Sequence, residues 1–246
     1  MVLACGLGAL LALAGAVGGA AAAERTVVGH SVQGRPIVAV RNGEPSAPER
    51  VLVIGCVHGN EAAGMRVARR LIGAAPLLDA ALWIVPTLNP DGVAADTRGN
   101  AHGVDLNRNF PFGWRPLDGL EYSGTGALSE PESRAARRLI LGIRPDVTIW
   151  FHQPLDLVDR SGGDAAIERR FAQLVGLPLV ELSRYPGSAS SWQNHALPAS
   201  TAFVVELPSA VGAGLVARAT AAVRALAGEY GSPGIGPAIP ILGTFP

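Results

Sequence analysis

Cysteine is almost absent from this chain. Cys5 and Cys56 are the only two, and Cys5 lies in an uncharged N-terminal segment that is expected to be removed. Cys56 then stands alone, which excludes an internal disulfide framework. At the end of an apolar run, Cys56 reads as a small packed hydrophobe without catalytic role. Net charge is absent too: 20 basic side chains balance 20 acidic ones. No basic stripe stands out to neutralise a phosphate backbone, so nucleic acid is not expected as a partner. Neither an internal repeat nor a linker divides the 246 residues, a length that suits one domain with a sizeable core.

The first 23 residues carry no charge and consist mostly of Ala, Leu, Gly and Val, ending in Ala21-Ala22-Ala23 before Glu24-Arg25. An apolar stretch closed by small residues predicts a secretory signal peptide with its cleavage site. The basic residue that normally opens such a peptide is missing. The alternative is an N-terminal anchor, since residues 2–23 are just long enough to span a bilayer, although their Gly and Ala content makes them weakly hydrophobic. The expectation is therefore residues 1–23 as export signal or anchor and residues 24–246 as a catalytic domain. That domain is placed outside the cell or in the periplasmic or cell-wall space, with no stable membrane partner unless the segment is retained.

Residues 25–41 read as a hairpin around Gln33-Gly34. Four apolar, β-branched runs follow at residues 51–57, 81–88, 146–151 and 201–207. Helical patterns lie between them: residues 61–72, a helix opened by Ser129-Glu-Pro-Glu132, and a closing helix over residues 208–230. Ser129-Glu-Pro-Glu132 has the form of a capping box, with Ser129 as N-cap, Glu132 three residues on and Pro131 in the first turn. Arg134, Arg137 and Arg138 are expected on its solvated face. Residues 231–246, rich in Pro and Gly, are expected to wrap the surface. Strands alternating with helices predict an α/β fold, a mixed, mostly parallel central sheet flanked by helices.

Chemistry enters where polar residues interrupt those runs. His58-Gly-Asn-Glu61 follows the first run, His152 ends the third and Glu206 lies near the end of the fourth. The carboxyl ends of strands in such a sheet are where ligands collect. A lone buried histidine is more often a satisfied core residue. Two His and two Glu at one level of one sheet argue instead for a compensating cation, because an isolated buried carboxylate is strongly penalised. Neutral imidazoles and a carboxylate suit Zn²⁺, and a catalytic zinc keeps three protein ligands and an open position. His58, Glu61 and His152 would be those ligands, and Glu206, outside the shell, the proton acceptor for a water activated there.

A second constellation strengthens this reading. Asn89-Pro-Asp-Gly92 and Arg98-Gly-Asn-Ala-His-Gly-Val-Asp-Leu-Asn-Arg-Asn-Phe-Pro111 are dense in Gly, Asn and Asp, which predicts ordered loops. They carry Arg98 and Arg108, whose planar donor forks match carboxylates and developing oxyanions. The plainer reading pairs these arginines with Asp91, Asp96 or Asp105. His30 and His102 are expected as surface loop residues, and His195 as part of a polar loop walling the substrate site.

Together His58-x-x-Glu61, Asp105-Leu-Asn107-Arg108-Asn-Phe, His152 and Glu206 resemble the zinc metallocarboxypeptidases of the carboxypeptidase A type, whose His₂Glu zinc site is well known. Thr97-Arg-Gly-Asn100, Tyr122-Ser-Gly, Ser129-Glu-Pro-Glu132, Phe151-His-Gln-Pro154 and Ser191-Trp-Gln-Asn-His195 are similar to the short bacterial branch that includes murein peptide amidases. Those enzymes are γ-D-glutamyl-meso-diaminopimelate peptidases. The resemblance covers residues 29–208. It implies one Zn²⁺ held by His58, Glu61 and His152, with Glu206 as general base and later proton donor to the leaving amine. It further implies that Arg98 stabilises the oxyanion, and that Asn107 and Arg108 clamp the substrate's terminal carboxylate. Tyr185, 21 residues before Glu206, is a candidate for the family's mobile active-site tyrosine, or simply the start of a turn at Tyr185-Pro186.

The expected substrate is a peptide, from peptidoglycan in the first reading. A general secreted metallocarboxypeptidase and an amidohydrolase of the aspartoacylase or succinylglutamate desuccinylase type share parts of the pattern. A catalytically dead wall-binding module on the same fold would predict damage to the ligands or the base, and all four residues are intact.

Overall fold

A computed structural model describes residues 23–182 and 184–231. The expected export segment lies outside the described residues apart from Ala23, and so does the tail beyond Gly231.

The sheet has eight strands in the order β1-β2-β4-β3-β5-β8-β6-β7. Strands β3 (Glu49–Ile54), β4 (Ala80–Val85), β5 (Val147–His152) and β8 (Thr201–Pro208) form its parallel centre. The hairpin of β1 (Glu24–His30) and β2 (Pro36–Gly43) adds antiparallel to β4 on one side. On the other, β6 (Leu155–Asp159) runs antiparallel to β8 and carries the two-residue β7 (Leu179–Val180). The sheet is thus mixed and mostly parallel, as expected.

The central strands read as unbroken apolar runs because both of their faces are covered. Successive side chains point to opposite faces. Val51, Val53, Ile149 and Phe151 meet helices α1 (Ala63–Ile72), α4 (Ala165–Val175) and α6 (Ala213–Gly231) on one face. Leu52, Ile54 and Trp150 meet α3 (Pro131–Ile143) and α5 (Ala189–Ala196) on the other. Each fully buried Leu, Ile or Phe of this kind contributes roughly 1.5–3 kcal/mol.

Several expectations are corrected here. Helix α3 has Glu130 as its N-cap, with no side-chain capping bond. The Ser129 hydroxyl donates to Glu130 at 2.7 Å. Glu132 is buried and accepts from the Val32 amide and the Asn100 side chain instead of reaching back to a cap. Tertiary partners thus outbid the local motif. The loop expected at Asn89 contains the short helix α2 (Pro90–Ala95), capped by the Asn89 side chain. His195 belongs to α5 rather than a loop, and its ring stacks on Phe112 at 4.3 Å without lining the catalytic cavity. His30 ends a strand. Strands β6 and β7 are too short to be read from their residues alone. Helix α4 is not among the expectations, although Asp164 and Gly176 bracket it as caps. Arg134, Arg137 and Arg138 are exposed, as expected.

Candidate metal centre and active site

Strand β3 ends at Ile54, and the chain continues buried through Gly55, Cys56 and Val57 to His58. The Glu61 amide donates to the His58 carbonyl at 3.0 Å. This turn sets both side chains on one side of the chain. It packs against α2 so closely that a Cβ on Gly59 would lie 1.9 Å from the Gly92 carbonyl carbon. From the neighbouring strand, His152 arrives in register with Glu206 of β8.

The ligand atoms converge. His58 Nδ1 lies 2.9 Å from Glu61 Oε1, and His152 Nδ1 lies 3.1 Å from Glu61 Oε2. The two Nδ1 atoms are 3.2 Å apart. One ligand atom from each of the three residues falls within 4.8 Å of the others, and all three residues are buried.

Asp105 orients this group. Its Oδ1 accepts from His58 Nε2 at 2.9 Å, and because a carboxylate only accepts, Nε2 carries the proton and Nδ1 presents its lone pair. A carboxylate behind a ligating histidine is the usual second partner in zinc sites. The other oxygen takes the fork of Arg98, with Nε at 3.0 Å and Nη2 at 2.8 Å. Arg98 Nη1 donates in turn to Glu61 Oε1 at 3.0 Å. Sequence reasoning offered Asp105 only as an arginine partner. Its bond to His58 joins positions far apart in the chain, although its place in Asp105-Leu-Asn107-Arg108 was a usable clue.

The surroundings fit a divalent cation. Burial works against a charge on His58, but Asp105 and Glu61 outweigh it and raise its pKa. Burial likewise works to raise the pKa of Glu61, yet His152 and His58 hold that carboxyl well below its usual range. The pocket is thus built to hold positive charge between two imidazoles and a carboxylate, a donor set that suits zinc.

Glu206 differs from Glu61. Burial pushes its pKa up and the charge of Glu61 adds to this, against the opposing pull of His152. Its Oε2 is buried without a hydrogen-bond partner. A carboxylate moved toward neutrality beside the ligands is suited to take and return a proton.

Asn107 and Arg108 lie on a 3₁₀ turn, Leu106–Arg108, capped by the Asp105 side chain. The Asn107 side-chain oxygen accepts from the Ala189 amide at 2.9 Å. Arg108 is buried, donates to Glu121 at 2.8 Å, and leaves Nε without a partner. The Tyr185 ring lies over its guanidinium at 4.3 Å. Gly187, two residues on, holds φ +70° and approaches the Arg108 carbonyl oxygen so closely that a Cβ would sit 2.2 Å from it. The plain pairings expected of the arginines are therefore partly present: Arg98 takes Asp105, whereas Arg108 takes Glu121, and Asp91 pairs with Arg35.

All eight candidate residues line one cavity of about 390 Å³, together with Glu121, Asp159 and Arg184. Cys56 stays outside it, buried with its thiol pKa pushed up to about 12 by burial.

Comparison with known proteins bears on this geometry. Residues 21–158 match the family described as zinc carboxypeptidase. Murein peptide amidase A of Vibrio campbellii is 32% identical over 203 residues, covering 74% of this chain and 79% of that protein. The Escherichia coli K12 protein of the same name is 36% identical over 125 residues, and there the match spans about half of the relative's length, 51%. Among solved structures, the murein-tripeptide amidase of Escherichia coli O157 superposes with a TM-score of 0.71 at 27% identity, over 83% of this chain and 91% of that one. Carboxypeptidase A of Helicoverpa armigera shares the fold with a TM-score of 0.71 at 19% identity, over 84% of this chain and 68% of its own. With a match over more than half its length and an enzyme's cavity at its strand ends, the chain belongs to the zinc carboxypeptidase family of metallopeptidases.

Proposed function

We propose that this hydrolase cleaves a peptide or amide bond next to a terminal carboxylate, and that its substrate is the γ-D-Glu–meso-diaminopimelate bond of murein peptides. One observation carries the reading: a single cavity presents the His58–Glu61–His152 cluster and Glu206 together with Asn107 and Arg108. A substrate end anchored by a carboxylate thereby meets the reacting groups in the same space.

His58, Glu61 and His152 would hold one Zn²⁺, which when bound lowers the pKa of water and polarises a carbonyl. Glu206 takes a proton from the attacking water and returns it to the leaving amine, a role its raised pKa supports. Arg98 Nη1 offers a donor to the oxygen that gains charge, and its anchoring by Asp105 pre-orients it. Arg108 and Asn107 receive the terminal carboxylate, with the substrate competing against Glu121 for the guanidinium. Tyr185 covers that arginine and limits its hydration.

The murein assignment is supported by the similarity to murein peptide amidases and to the murein-tripeptide amidase. Export of the protein into the periplasmic or cell-wall space, directed by residues 1–23, is part of the same proposal and would bring it to its substrate.

The test is release of diaminopimelate from L-Ala-γ-D-Glu-meso-diaminopimelate by the purified protein, as isolated, after chelation and after zinc restoration, beside a C-terminally unmodified blocked dipeptide. Release that stops with chelation and returns with zinc is the expected result. Cleavage of the dipeptide alone would replace the murein substrate with ordinary C-terminal residues.

A further inference from the structure

The cavity that holds the catalytic cluster has a second pair of charges. Asp159 closes strand β6, one residue beyond the Val158–Val205 rung, and Leu157 of the same strand pairs with Glu206. A strand advances about 3.4 Å per residue, so Asp159 lies within a few residues' reach of the expected base. Its carboxylate is fixed by the Leu182 amide at 2.9 Å and the Ser161 hydroxyl at 2.6 Å. Arg184 stands beside it, with Nη1 at 3.6 Å from Asp159 Oδ2, too long for a hydrogen bond, while its Nη2 donates to the Arg160 carbonyl and lies 3.9 Å from Glu181, leaving Nη1 for a ligand. Asp159 is nearly buried, and the Arg184 side chain remains 43% exposed. The same cavity is lined by Leu120, Leu155, Leu182 and Val204 and by the hydroxyl residues Ser188, Ser190 and Ser191.

Filling such a pocket with an apolar side chain would strip water from both charges and return no bond, which is costly. A terminal residue with complementary charges at its far end would recover those bonds. Sites built to bond a polar group reject analogues that lack it far more strongly than apolar pockets reject an extra or missing methylene.

We propose that Asp159 and Arg184 are specificity-determining residues that select a zwitterionic far end of the substrate's terminal residue, its ammonium accepted by Asp159 and its second carboxylate by Arg184. This rests on the proposed substrate reading, in which Arg108 and Asn107 hold the carboxylate next to the scissile bond. It assigns the leaving group's chemical class, a diamino dicarboxylic acid, to residues of this chain.

The test is calorimetric binding of three free amino acids to the zinc-loaded protein: meso-diaminopimelate, lysine (ammonium only) and 2-aminopimelate (carboxylate only). Wild type is expected to bind diaminopimelate about 10- to 100-fold more tightly than either analogue, the scale of a charge-assisted hydrogen bond. Arg184→Met should remove the preference over lysine, and Asp159→Asn the preference over 2-aminopimelate. Thermal unfolding checks that each variant is folded, and the half-exposed Arg184 gives a test that does not depend on the buried site. Equal binding of the three ligands by wild type would overturn the proposal. So would an Arg184→Met variant that weakens all three alike. Turnover of the murein tripeptide, followed in parallel, reports separately on the proposed reaction: a protein that discriminates the ligands but does not cleave supports this subsite while removing the substrate bond assigned above.

Discussion

Replacing Asp105 by Asn should weaken zinc binding without touching a ligand. The Asp105 carboxylate accepts four N–H groups: His58 Nε2, the Asn107 amide, and Nε and Nη2 of Arg98. Asn keeps one oxygen, enough for His58 and the amide on the Oδ1 side. On the Oδ2 side it would turn an NH₂ group toward the Arg98 fork, donor against donor. Charge-assisted hydrogen bonds contribute about 1.5–3 kcal/mol each, but Arg98 is about a quarter exposed and water would replace part of the loss. A stability loss of about 2 kcal/mol is expected. Arg98 would also be left with Glu61 as its remaining carboxylate partner, so that a cation competes with zinc for a ligand oxygen. Loss of such a supporting carboxylate typically costs about 10- to 100-fold in metal affinity, or about 1.4–2.8 kcal/mol. Competition against a chromophoric chelator measures the affinity, and urea unfolding of the metal-free protein measures stability. A variant with wild-type zinc affinity would refute the view that Asp105 orients His58 and restrains Arg98.

Glu206→Gln is expected to lower kcat by about 100-fold or more while zinc content measured by atomic absorption stays at one per chain; near-normal turnover would remove Glu206 as the base. Arg108→Met should raise KM for substrates with a free terminal carboxylate and leave an amidated analogue unaffected; equal rates on both by the wild-type protein would sink the clamp. Asp91 does not line the catalytic cavity: burial favours its neutral form, but bonds from the Gln33 amide, Arg35 and Ser31 outweigh it and lower its pKa. Its stabilisation is therefore complete above the unfolded value of about 3.9 and fades as pH falls through the lower folded one. Asp91→Asn should destabilise at neutral pH by about 1–2 kcal/mol and lose less additional stability on acidification than wild type does; parallel pH profiles in urea unfolding would contradict this.

Much of the fold is legible in the chain because its central strands are covered on both faces. Runs such as residues 51–57 and 146–151 announce buried strands, and a His or Glu at their ends breaks the pattern visibly. That is why His58, Glu61, His152 and Glu206 can be named before any coordinates, and why the family resemblance rests on motifs that short loops keep intact. Strands β6 and β7, at one side of the sheet, escape because a short strand is defined by its neighbours' hydrogen bonds, not by its own residues. The capping box at Ser129 misleads for a related reason. Glu132 finds Val32 and Asn100 across the fold, and a local motif cannot register such distant competitors.

What the sequence by itself determined is therefore the α/β class, the order of the principal elements and the candidate ligand set, since each depends on local periodicity and on residue type. Only the tertiary structure decided which groups share one cavity. It set Asp105 behind His58, turned Arg98 between Asp105 and Glu61, gave Glu121 and Tyr185 to Arg108, and brought Asp159 and Arg184 to the same wall. Hydrogen bonds and ion pairs act over a few ångströms of space regardless of chain separation, so these partnerships appear only once the sheet has brought its strand ends together.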